Sequence, residues 1–387
     1  MARQRRGRGE GSVYQRACGR WCATVSVGYA SDGRRRRQTM LGTTKKEVQE
    51  QLARVQMTLL EGTFVDPSKL RVADFLDRWL EDAAKPTIRA TTYASYKGIL
   101  KHHIQPKIGG VTLSRLTPLH VQAMHASLER EGASPRLRQL THAVLRRALK
   151  QALKWDLVDR NVCDAVDPPR VPKREVAALS PDQVTALLAA AKGHRLEALL
   201  MVAVGTGMRL GEIFALQWRN VDLVRAAIHV RQTLTEIGGT LTLNEPKTSK
   251  SRRRIDLPKS VVVALEAHRQ RMREAGFVEE EQEEASWVFT NTTGGPLRRG
   301  HFQTNVFKPL LKAARLPAIR FHDLRHTSAS LLLAAGVHPK IVQERLGHSQ
   351  IGITLDIYSH VLPTMGLEAA AKLDAMMSPP NTASRRI

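Results

Sequence analysis

Residues 161 to 178 contain three prolines, several charges and no sustained apolar period. Proline lacks a backbone donor and fixes φ, so neither a helix interior nor a central strand can pass through Pro168, Pro169 and Pro172. The stretch reads as a linker that prevents the 387 residues from closing around one continuous core. Two or three domains are expected at this length.

Ahead of the linker the pattern changes once. Trp21, Ala23, Val25 and Val27 alternate with Cys22, Thr24 and Ser26, the period of a half-buried strand. Asp32-Gly33 supplies a hairpin turn. Thr44 and Glu47 then form a capping box, Val48, Leu52, Val55 and Leu59 make one helical stripe, and Gly62 is placed to stop it. A small sheet backed by one helix is expected over 1–65. The first 40 residues hold ten arginines against Glu10 and Asp32, and those arginines should line the open face of the sheet. A ribbon of this kind can enter a major groove. Over 69–160 the period is helical throughout. Val72, Phe75, Leu76, Trp79 and Leu80 open it, followed by stripes at Tyr93 to Ile104, Val121 to Leu128 and Leu137 to Ala152, enough for a four-helix bundle. Its basic positions, including Lys97, Lys101, Lys107, Arg146, Arg147 and Lys150, face either phosphates or solvent.

The charge balance narrows the partner. Lys and Arg number 60 against 36 Asp and Glu, a net charge of +24 on a chain that is 42% hydrophobic, so the excess sits on a foldable protein rather than a disordered polycation. Nucleic acid is the leading polyanion, because clustered cations gain affinity by releasing counterions from phosphates; a merely soluble basic surface is the alternative. Cys18, Cys22 and Cys163 cannot build a disulfide framework and have no second Cys or His pair at zinc spacing, so they read as strand or turn residues of a cytoplasmic protein. No stretch approaches a membrane span.

A new domain opens at Ser180-Pro181-Asp182-Gln183, a capping box with proline at the first helical position, and runs over 179–377. An apolar helix is expected near 195–204, strands near 226–233 and 239–257, then mostly helix. The glutamates between 279 and 284 read as a solvated acidic loop, and 378–387 as a disordered tail. Five short pieces in this region carry polar residues suited to chemistry. Arg209 follows a glycine break in Thr206-Gly207-Met208-Arg209. Lys247 lies in Glu245-Pro246-Lys247, on what should be a basic hairpin tip. His322 and Arg325 are three apart on a helix and share a face. His348 stands in Leu346-Gly347-His348, and Tyr358 follows ten residues later.

This ordered set resembles the tyrosine recombinases, in particular the phage-type integrases. The resemblance spans the chain. It implies a multidomain, mainly α protein with small β-sheets: an arm-type DNA-binding sheet and helix, a helical core-binding bundle, and a mixed α/β catalytic domain. It implies Tyr358 as the nucleophile, a 3′-phosphotyrosine intermediate, and Arg209, Lys247, His322, Arg325 and His348 around the scissile phosphate, with no cofactor and no metal. It also implies a homotetramer on double-stranded DNA with core and arm sites, accessory bending or excision proteins, and a C-terminal helix near 367–376 that docks on a neighbouring protomer. The residue types suit phosphoryl chemistry, since two guanidinium forks match phosphate oxygens and cations favour a phenolate whose ordinary pKa is about 10. Glu212 either orients Arg209 or is a surface acid. Asp323 caps or pairs locally, and His326 and His360 have no assigned role. A topoisomerase IB-like nicking and rejoining enzyme and a non-catalytic DNA-binding protein are the rival readings; the appended N-terminal domain disfavours the first, and an intact polar set the second.

Overall fold

The computed structural model describes residues 11–29, 35–60, 69–172, 178–245, 252–277 and 280–348, with residues 370, 371, 373, 374, 376 and 377. It divides into two compact units, Met1–Pro172 and Lys173–Ile387, so the break falls within the proline-bearing stretch.

In the first unit, β1 (Ser12–Gln15), β2 (Trp21–Tyr29) and β3 (Arg35–Gly42) form an antiparallel sheet in that order, and α1 (Lys45–Leu60) packs on it. Ala23, Val25 and Met40 bury against Val48 and Leu52, as the alternation and the stripe require. Cys22 departs from the pattern: it is fully buried although its parity places it with Thr24 and Ser26. The capping box is also shifted. The Glu47 amide donates to Thr44 Oγ1 at 3.2 Å, but the Glu47 carboxylate reaches back to Thr43, accepting from its amide at 2.9 Å. Asp32, Gly33 and Gly62 lie outside the described residues.

The helical part comprises α2 (Val72–Arg78), α3 (Ala90–Ile99), α4 (Gln105–Ile108), α5 (Pro118–Arg130) and α6 (Pro135–Lys154). π turns at Trp79–Ala84 and Leu100–Ile104 prolong α2 and α3, which keeps Trp79, Leu80, Leu100 and Ile104 in the core. The ordered bundle extends past residue 160. A 3₁₀ turn at Val162–Ala165 buries Val162 and Cys163 in the same core, held by Asn161, whose amide nitrogen donates to the Arg146 carbonyl at 3.0 Å. Part of the basic surface is engaged locally: Lys107 with Glu131, Arg146 with Asp164 at 2.6 Å, and Arg147 with the Tyr96 hydroxyl at 3.1 Å.

The second unit begins with α7 (Pro181–Ala190), capped as expected: Gln183 N donates to Ser180 Oγ at 3.2 Å and Ser180 N to Gln183 Oε1 at 2.9 Å. Then follow α8 (Glu197–Thr206) and α9 (Leu210–Phe214). The strands are β4 (Val221–Asp222), β5 (Ala227–Val230), β6 (Thr233–Ile237), β7 (Thr240–Asn244) and β8 (Arg253–Asp256). The helices α10 (Lys259–Glu274), α11 (Arg299–Phe302), α12 (Lys308–Ala313), α13 (Asp323–Ala334) and α14 (Pro339–Leu346) complete it. Helix α8 is apolar on all sides and accordingly central, with Leu199, Leu200, Val202 and Ala203 buried.

The strands make two antiparallel sheets, β4-β5-β8 and β6-β7. Lys247, expected on a hairpin tip, lies outside the described residues. One expectation is corrected: the acidic run is not wholly solvated. Glu283 is buried and accepts from Arg269 at 2.6 Å and Arg273 at 2.7 Å; these guanidinium groups hold its carboxyl well below the usual range. Of the expected C-terminal helix, residues 370, 371, 373, 374, 376 and 377 are helical and exposed. Among the described residues no helix is long and apolar enough to cross a membrane.

Candidate active site

The glycine break before Arg209 is required twice over. Helix α8 ends at Gly207, whose φ is +64°, and a Cβ there would stand 2.5 Å from Leu346 Cδ2. The close approach of α14 made possible here brings its C-terminus beside Arg209. Arg209 caps α9: its amide donates to Glu212 Oε2 at 3.0 Å, its Nη1 to Glu212 Oε1 at 2.8 Å and its Nη2 to the Gly347 carbonyl at 3.3 Å. With 39% of the side chain exposed, the guanidinium is reachable from solvent.

Arg325, in the first turn of α13, is only 3% exposed. Its Nη1 donates to the Gly207 carbonyl at 2.8 Å and its Nη2 to the Leu346 carbonyl at 2.6 Å. Both carbonyls belong to helix C-termini, which carry unsatisfied acceptors and the negative end of the helix dipole. The fork expected to serve phosphate thus also ties α8 to α14. His322 immediately precedes α13 and is exposed, one turn from Arg325. His326 stacks edge-on against it, with ring centroids 5.2 Å apart. Asp323 turns aside as a local partner, accepting from the Arg320 amide at 2.8 Å and its side chain at 2.7 Å.

His348 is set by the end of α14. Gly347 takes φ +67°, the His348 amide donates to the Gln343 carbonyl at 3.1 Å, and Gln343 Nε2 donates to the His348 carbonyl at 3.0 Å. Burial pushes its imidazole down to about 3, and the guanidinium groups of Arg325 and Arg209 act in the same direction. Partial desolvation of the His322 ring by the surrounding protein, then the neighbouring His326, Arg325 and Arg209, lower it as well, although the residue keeps a solvent-facing edge. Both rings are therefore neutral hydrogen-bonding groups at neutral pH in the absence of an anion.

Glu212 is the counterweight. Its side chain is 3% exposed and it takes two guanidinium groups, Arg209 and Arg253, the latter through Nη2 at 2.9 Å and Nη1 at 3.2 Å. Burial alone would raise this carboxyl; Arg253 and then Arg209 outweigh it and leave it below the ordinary range. The open choice at Glu212 resolves to a buried acid holding Arg209. Arg253 escapes a reading of the sequence because it stands in Arg252-Arg253-Arg254, which is uniformly basic. The signal that could have found it is parity: β8 pairs with β5, and Arg253 shares the inward side with buried Ile255 while Arg252 and Arg254 are exposed.

The structure thus gathers Arg209, Arg325, His322 and His348, adds His326, Arg253 and Glu212, and leaves Lys247 and Tyr358 outside the described residues. Three guanidinium groups, of which Arg209 and Arg253 share the Glu212 carboxylate and Arg325 is held by backbone carbonyls, stand with the imidazoles of His322, His326 and His348. A bound anion is what such a set stabilises, and its negative charge would raise the imidazole pKa values again.

Comparison with known proteins agrees. The model of the phage integrase family matches residues 177–365, and that of the phage integrase N-terminal SAM-like domain matches 72–128. An integrase of Streptomyces ambofaciens is 30% identical over 376 residues, covering 92% of this chain and 93% of that protein. A tyrosine recombinase XerC-like protein of Caldanaerobacter subterraneus subsp. tengcongensis is 29% identical, covering 91% and 95%. Among solved structures, the Tn1549 transposon integrase in complex with a circular intermediate DNA superposes with a TM-score of 0.67 at 20% identity, covering 79% of this chain and 100% of that one. A lambda integrase dimer bound to a COC′ core site gives 0.57 at 19% identity, covering 92% and 96%. With the ordered motifs, the fold and a relative of this identity along nearly the full length, the chain belongs to the phage integrase family of tyrosine recombinases.

Proposed function

We propose that the protein is a site-specific DNA recombinase that integrates or excises a mobile element by cutting and rejoining strands through Tyr358. The observation that carries the reading is the convergence of Arg209, Arg325, His322 and His348 from the ends of α8, α13 and α14 on one partly open, cationic site. Cleaving a phosphodiester brings a nucleophile to an anion, so the nonbridging oxygens must first be gripped and neutralised. Arg209 and Arg325 supply the charge, and the imidazoles supply hydrogen bonds.

The Tyr358 phenolic oxygen attacks phosphorus as its proton passes to an imidazole of the site. The bond from phosphorus to the 5′-oxygen breaks, and Lys247 protonates that oxygen as general acid. The product is a 3′-phosphotyrosine and a free 5′-hydroxyl. Because the phosphorus remains esterified, a 5′-hydroxyl from a second duplex can reverse the step without ATP. Support for DNA as the substrate comes from the net charge of +24 and from the structural neighbours, which were solved on DNA. The N-terminal sheet fits binding of arm sites, the helical bundle fits binding of the core site, and a homotetramer fits the lambda integrase neighbour solved as a tetramer on a Holliday junction.

Tyr358→Phe tests the nucleophile. It should keep core-site affinity while forming no covalent protein–DNA adduct on a nicked suicide substrate; an adduct that persists would move the nucleophile elsewhere.

A further inference from the structure

Three successive backbone carbonyls close α14, and each is held by a different arginine. Arg253 Nε donates to the Arg345 carbonyl at 2.7 Å, Arg325 Nη2 to Leu346 at 2.6 Å and Arg209 Nη2 to Gly347 at 3.3 Å. Two of the three arginines belong to the proposed phosphate grip. The third does not face the substrate side: the Arg253 side chain is 6% exposed, and its fork is spread over both oxygens of Glu212, the carboxylate that also holds Arg209.

We propose that Arg253 is a positioning residue for strand cleavage, fixing the Arg209 guanidinium through Glu212 and the turn bearing His348 through the Arg345 carbonyl. The inference rests on the function proposed above. One planar group is bonded to both halves of the site, so β8 sets the distance between Arg209 and the end of α14. Arginine suits this place because lysine offers a single nitrogen and cannot reach a carboxylate bidentately and a carbonyl together. The end of α14 is anchored from the other side as well. Arg345 donates to the Gly205 carbonyl at 2.6 Å and to the Asp256 carbonyl at 2.9 Å, so loss of Arg253 should shift the turn rather than unfold the helix.

A displacement of about 1 Å in a catalytic group lowers a rate about 10²-fold. Single-turnover adduct formation by the full chain on a nicked core-site duplex, measured with the core-site Kd and the thermal midpoint, tests the proposal. Arg253→Lys keeps the cation against Glu212 and should slow adduct formation at least about tenfold, with Kd changed less than threefold and the protein still folded. Arg253→Met should approach the full 10²-fold. In an Arg209→Lys background, where the grip is already weakened, Arg253→Lys should have a much smaller effect. An unchanged rate for Arg253→Lys would overturn the proposal. So would a parallel loss of DNA affinity, a rate loss matching the loss of folded protein, or equal factors in both backgrounds. Adduct formation by the parent and its absence in Tyr358→Phe test the underlying function separately, so failure of one is told from failure of the other.

Discussion

Replacing Arg325 by lysine keeps the charge and removes the fork, and the structure says what each loss should do. The Arg325 guanidinium satisfies two carbonyls at once, Gly207 at the end of α8 and Leu346 at the end of α14. A lysine nitrogen in the same buried space reaches one of them. The other loses a hydrogen bond to a charged donor, which is about 1.5–3 kcal/mol. For a unit of this size that corresponds to a fall in thermal midpoint of roughly 3–12 °C. The chemical loss is separate: removal of one positioned donor to a developing oxyanion lowers the rate about 10²–10³-fold. Calorimetry of the full chain reads the first quantity, and adduct formation at saturating protein, well below the melting transition, reads the second. If Arg325→Lys melts lower but cleaves at the parent's rate, the side chain is a structural tie alone and its phosphate role is refuted. If both quantities are unchanged, the two-carbonyl geometry is wrong as well.

Acid should weaken the helical bundle through His125. Burial, then His142 and Arg138, push this imidazole down to about 4, while in the unfolded chain it titrates at about 6.5. The unfolded state therefore binds the extra proton, and the stability is complete above pH 6.5 and lost as pH falls toward 4, by about 3 kcal/mol at the limit; a melting temperature flat over that range would refute it. Deleting residues 1–62 removes a sheet and helix with their own small core, so core-site cleavage should survive while integration is impaired; unchanged integration would leave the N-terminal unit without its proposed role. Chelation of divalent metals should leave adduct formation at the parent's rate, because the charge on phosphate is met by side chains; a loss restored by adding back Mg²⁺ would contradict this.

What was legible in the chain was what depends on near neighbours. The Ser180 box, the stripes of α1 and α6 and the glycine before Arg209 are set by residues within one or two turns, and the structure has each of them. The spacing of His322 and Arg325 keeps them within one turn, although His322 stands just ahead of α13 rather than on it. What escaped depends on contacts across long separations. The Arg325 fork ties Gly207 to Leu346, 118 residues earlier and 21 later. Arg253 is singled out from its flanking arginines only by the register of β8 on β5, and Glu283 is drawn inward only because α10 brings Arg269 and Arg273 to it. The same separations explain why a cationic site can exist without a bound anion. Arginines gathered at one site repel one another. Carbonyls at the ends of α8 and α14, together with Glu212, supply the compensating negative potential before DNA arrives. The charge of the proposed site and the stability of the fold thus depend on the same hydrogen bonds, so a substitution that weakens one should register in the other.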